Sequence, residues 1–64
     1  MSTIKVSIRE QYDHRKGLWK IVKKTTNGSG GWKRFGTGWY YDKQEAEQAI
    51  DKIIRNYPQM YERG

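Results

Sequence analysis

One stretch of this chain has the apolar spacing of a helix. Ala46, Ala49, Ile50, Ile53, Ile54 and Tyr57 recur at three- and four-residue intervals and form a single stripe. Asp42-Lys43-Gln44-Glu45 precedes the stripe as an N-cap with Glu three residues on, and Tyr41 stands where a hydrophobic staple onto Ala46 would form. Pro58 stops the helix, because the residue before a proline is driven out of the helical region. A lone amphipathic helix has no second helix to pack on, so the rest of the chain must supply the layer that it covers.

That layer reads as a sheet. From Thr3 to Arg9 the side chains alternate, with Ile4, Val6 and Ile8 on one side and Lys5, Ser7 and Arg9 on the other. Asp13-His14-Arg15-Lys16-Gly17 is a polar turn, and Leu18–Lys24 is a second strand whose core side carries Trp19 and Ile21. The Gly- and Asn-containing run Thr25–Gly31 predicts the most flexible internal loop. A third strand begins at Trp32 and runs through Phe35; Gly36-Thr37-Gly38 interrupts it before Trp39-Tyr40-Tyr41 resumes the pattern.

The predicted fold is therefore α+β: a three-stranded antiparallel sheet, β-β-β, with one C-terminal amphipathic helix packed on one face. At 64 residues there is room for one domain, spanning 1–58, with 59–64 as a loosely held C-terminal tail. No cysteine is present to staple it, so three Trp, five Tyr and one Phe must supply much of the buried area. The amino terminus lacks the apolar stretch of a signal peptide and no apolar run approaches a membrane span, so a cytoplasmic protein with no membrane partner is expected.

The charge is placed unevenly. Up to Tyr41 there are nine Lys and Arg against Glu10 and Asp13, whereas from Asp42 onward four cations meet five carboxylates. The net charge of +6 is thus +7 on the sheet half and −1 on the helical half. If Ile4, Val6, Ile8, Trp19, Ile21 and Phe35 meet the helix, strand alternation sends Lys5, Ser7, Arg9, Leu18, Lys20, Val22, Lys24, Trp32 and Arg34 to the uncovered face. Such a face also solubilises a small protein; its avoidance of the helix is what favours a binding surface.

Little else in the chain suggests chemistry. His14 is the only histidine and lies in a polar loop without the partners that acid–base catalysis or metal binding needs. Asp42 and Glu45 are accounted for by helix capping, and Glu47 with Asp51 by a solvated helix face. Gly28-Ser29-Gly30-Gly31 lacks the Gly-Lys-Ser/Thr step and the following helix of a phosphate loop, and reads as a hairpin connection. No catalytic residue, metal site or cofactor is assigned. Among the tryptophans, Trp19 is expected in the core and Trp32 at the surface.

The strand-strand-strand-helix order, with Trp32 and Arg34 on the third strand and Gly36-Thr37 leading to Asp42-Lys43-Gln44-Glu45-Ala46, resembles two related DNA-binding designs. One is the plant ethylene-response-factor type domain; the other is the amino-terminal arm-site-binding domain of phage and transposon tyrosine recombinases. The resemblance covers about a third of the chain. Gly38-Trp39-Tyr40-Tyr41 is longer than the corresponding connection, and the Arg-Gly opening of the plant domains is absent. The resemblance implies a sheet laid in the major groove of duplex DNA with the helix behind it.

Together these readings give a small non-enzymatic DNA-binding protein, encoded by a phage or mobile element. Lys5, Arg9, Lys20, Lys24, Lys33 and Arg34 are the expected phosphate or base-edge contacts, and Trp32 the aromatic one. Two alternatives use the same face. One is a protein–protein interaction module, such as an inhibitor that binds an acidic surface of a host protein; the other is single-stranded nucleic acid held by aromatic stacking.

Overall fold

The structure is a computed structural model that describes residues 5–25 and 30–64. Thr3 and Ile4, with which the expected first strand began, and most of the expected flexible loop lie outside the described residues. The first strand, β1, is Val6–Asp13, and β2 is Leu18–Thr25. They pair antiparallel over their full length, with Ile8 opposite Lys23 and Glu10 opposite Ile21. β1 thus runs four residues past Arg9, where its apolar alternation gives out, because Glu10, Gln11 and Tyr12 find partners on β2.

The turn between them is set by Asp13 and Gly17. Asp13 Oδ1 accepts the backbone N–H groups of Arg15 and Lys16 at 2.9 and 3.0 Å, and the Gly17 N–H donates to the Asp13 carbonyl at 2.8 Å. Gly17 closes the turn at φ +69°, a left-handed conformation that only glycine adopts without a steric cost.

β3 is shorter than the run Trp32–Phe35 predicts, consisting of Lys33–Arg34 paired antiparallel with β2. Phe35 adds one more bond, donating to the Ile21 carbonyl at 2.8 Å, and Gly36 at φ +77° then turns the chain out of the sheet. It returns at Tyr40, which exchanges backbone hydrogen bonds of 2.7 and 2.9 Å with Trp19.

Helix α1, Lys43–Asn56, follows as the stripe predicts. Asp42 has the extended backbone of an N-cap but its side chain makes no capping bond; instead, Glu45 Oε2 accepts the Tyr41 N–H at 3.3 Å. The Tyr41 staple does not form, for its ring is 81% exposed. At the other end Tyr57 donates its N–H to Ile53 as the C-cap, and Pro58 follows. Ile8, Ile21 and Ile50 make the buried cluster between sheet and helix, with Phe35, Ile53, Ile54 and Tyr61 packed around it.

The segment expected as a tail is a fourth strand. β4, Tyr61–Arg63, lies parallel to β1, with the Val6 N–H donating to Met60 and the Gly64 N–H to Ile8, each at 2.9 Å. The sheet is consequently mixed and four-stranded, in the order β3-β2-β1-β4, rather than three-stranded and antiparallel. The physical reason is tertiary. The turn after Pro58 brings the chain back beside β1, where Tyr61 packs edge-on against Phe35 with ring centroids 5.5 Å apart. The Arg63 guanidinium reaches Glu10, Glu47 and Asp51 at 3.5–3.6 Å.

Candidate nucleic-acid interface

Because Ile8 and Ile21 point at the helix, strand alternation sends Ser7, Arg9, Gln11 and Asp13 of β1 to the other face. Leu18, Lys20, Val22 and Lys24 of β2 lie beside them. Arg34 stands opposite Val22 and joins this open face. Arg9, Val22 and Arg34 therefore form one row across three strands. Strand spacing of about 4.8 Å puts the two arginine α-carbons about 10 Å apart. Val22 is only 2% exposed although it faces away from the helix, so the open face has an apolar floor of its own.

Each arginine of the row rests on a tryptophan. Arg9 Cζ lies 5.7 Å from the centre of the Trp32 ring, and Arg34 Cζ lies 4.0 Å from that of Trp39. Arg34 Nη2 also donates to the Gly38 carbonyl at 3.4 Å. A guanidinium held against an aromatic face keeps its remaining N–H donors free and loses less entropy when it binds an anion. Trp32 is 37% exposed, and its ring tip lies so close to Gly64 that a Cβ there would meet Cη2 at 2.6 Å. The ring expected as a free aromatic contact is thus already engaged by Arg9 and Gly64.

Of the seven residues predicted for the site, Arg9, Lys20, Lys24, Trp32 and Arg34 come together on or beside the open face. Lys5 immediately precedes β1 and is half-buried. Lys33 departs from the set. It stands opposite Lys23 and shares a side with Phe35, which packs on the core, so it projects from the helix side of the sheet edge. Lys20 is partly neutralised by Asp13 Oδ2 at 3.6 Å. The Asp13 carboxyl is held below its ordinary value of 3.8, first by the Lys16 N–H and then by the Arg15 N–H and Lys20. Glu62, opposite Ser7 on β4, adds a carboxylate at the rim of the face.

Two residues beyond the seven expected contacts belong to this surface: Trp39, whose sequence position fits either the sheet edge or the contact surface, and Lys16. Trp39 lies beside Tyr40, whose side faces the helix, and Lys16 in the turn places its Nζ 5.1 Å from the Trp39 ring centre. The facing of Trp39 is fixed only by the bridge between Tyr40 and Trp19, and Lys16, in a turn, has no strand period to place it. Trp19, expected in the core, lies on the Ile21 side of β2 but outside the buried cluster, half-buried and edge-on to Tyr12 at 5.3 Å, and His14 is an exposed turn residue.

The carboxylates of the helix side are gathered elsewhere, with Glu10, Glu47 and Asp51 all on Arg63. Among the described residues no group of three or more His, Cys, Asp or Glu side chains is arranged to hold a metal ion, and no helix is long and apolar enough to cross a membrane. No known protein family matches the chain, and neither a curated protein nor a solved structure does.

Proposed function

We propose that this chain is a non-enzymatic DNA-binding module that lays its open sheet face on duplex DNA. The observation that carries the reading is the row Arg9–Val22–Arg34, a pair of tryptophan-braced guanidiniums over an apolar floor, with Lys20 and Lys24 beside it. Guanidiniums held in this way suit phosphate oxygens, to which they donate two parallel hydrogen bonds. The rings already carry cations, so backbone contact is favoured over the stacking of unpaired bases.

The test is the salt dependence of binding to a short fluorescent duplex. Each phosphate neutralised contributes about 0.9 to the slope of log K against log salt. A steep slope is expected, and affinity that is indifferent to salt, or higher for the single strand, contradicts the reading. A second reading, docking to an acidic protein surface as an interaction module or inhibitor, draws on the exposed Tyr41 ring, which has no packing role at the helix start. Under that reading a defined protein partner is retained after nuclease treatment.

A further inference from the structure

Trp39 gathers two cations that the chain brings from different places. Arg34 arrives from β3, with Cζ 4.0 Å from the ring centre, and Lys16 from the β1–β2 turn, with Nζ 5.1 Å away. The two charges can be no farther apart than those distances taken together. Among the described residues neither takes part in an ion pair, whereas the neighbouring Lys20 is engaged by Asp13. Two like charges on one ring repel each other, and an anion seated between them turns that repulsion into attraction.

Both cations are placed by the fold. Lys16 is held through its backbone N–H on Asp13 Oδ1 at 3.0 Å, in a turn that Gly17 closes. Arg34 is held by its pairing with Val22, by the Gly38 carbonyl and by the face of the indole. The arrangement offers the fork of a guanidinium and the point charge of an ammonium to one tetrahedral anion.

Resting on the DNA reading above, we infer that Lys16 and Arg34 form a single phosphodiester site, with Trp39 as the positioning residue that brings them together. One backbone phosphate sits between the two cations, the guanidinium donating to its oxygens and the ammonium closing the other side. Trp39 touches the cations and not the bases, so the contact fixes where the duplex lies without reading its sequence.

The experiment is a salt series of duplex binding for the full chain and for Lys16→Gln, Arg34→Gln, the double variant and Trp39→Leu. Each single Gln variant is expected to lower the slope by about 0.9, one phosphate's worth, and the double variant by the same amount rather than twice as much. Trp39→Leu lowers it equally, and Trp39→Phe, which keeps a ring face, restores most of it. A double variant that loses twice the slope overturns the shared site, and a folded Trp39→Leu protein with the parent slope overturns the positioning role. Should Trp39→Leu fail to fold, the Phe variant and the Gln pair decide. If the parent chain binds and only the variants behave otherwise, the DNA reading stands and this inference falls; if the parent does not bind duplex at all, both fall.

Discussion

Arg63 Nη2 lies 3.5 Å from Glu10 Oε2, joining residues 53 positions apart and tying the last strand to the middle of the first. The same guanidinium reaches Glu47 and Asp51 on α1, so one side chain links β4, β1 and the helix. Glu10 is the most sheltered member, its side chain 12% exposed, while Arg63 remains half in water.

Arg63→Ala is therefore expected to cost roughly 1 kcal/mol, the upper end for a pair still reached by solvent. The loss is largest at low salt. It concentrates on β4: hydrogen exchange at the Val6 and Gly64 amides, which bond across the β1–β4 seam, speeds up more than exchange within the β1–β2 hairpin. Equal acceleration at both places would mean that the ion cluster does not hold β4 specifically.

Ile50 is fully buried between Ile8 and Ile21 and is one of the few residues that join the two layers. Truncation to Ala is expected to cost about 2–5 kcal/mol, whereas Ile50→Val costs about 0.5–1.5 kcal/mol. For a domain this small the Ala variant loses most of its folded population at 25 °C, as far-UV circular dichroism in a urea series will show. A melting curve unchanged by Ile50→Ala contradicts the assigned core.

Asp13 gives the hairpin a pH dependence of known sign. Its carboxyl titrates lower when folded than its ordinary value of 3.8, because the ionised form accepts the Lys16 and Arg15 N–H groups. Its contribution is therefore complete above 3.8 and is lost as pH falls through the folded value below that. An NMR titration following the Arg15 and Lys16 amides should show a shared midpoint under 3.8. A midpoint at or above 3.8 contradicts the turn's bonding.

Facing separates two lysines that are near neighbours across β2 and β3. Lys24 lies on the open face, while Lys33 stands on the helix side with Lys23. Lys24→Gln is expected to lower the salt slope of duplex binding by about 0.9, and Lys33→Gln to leave it nearly unchanged. The reverse order would show that the wrong face has been assigned.

Period carried much of the fold into view from residues alone. The helix stripe from Ala46 to Tyr57, its stop at Pro58, and the opposite facing of Ile8 and Arg9 all follow from spacing. What spacing could not convey depended on partners distant in the chain. Three residues, Tyr61–Arg63, are too few to display a strand period, and their place beside β1 arises from the packing of Tyr61 and the carboxylates around Arg63. Trp39 was obscure for a different reason. The six steps from Arg34 to Tyr40 lie opposite three on β2, so alternation cannot be carried through Gly36, and only the Tyr40 bridge restores it. Tyr41 had the position of a staple, but the Glu45 carboxylate takes its N–H while the ring stays in water.

The proposed placing of duplex DNA on the open sheet face is open to chemical-shift mapping by NMR with a short duplex at low salt. The backbone amides of Arg9, Val22, Lys24 and Arg34 and the indole N–H signals of Trp32 and Trp39 are expected to move, while α1 stays in place. Shifts confined to Ala49–Tyr57 of the helix side would contradict it.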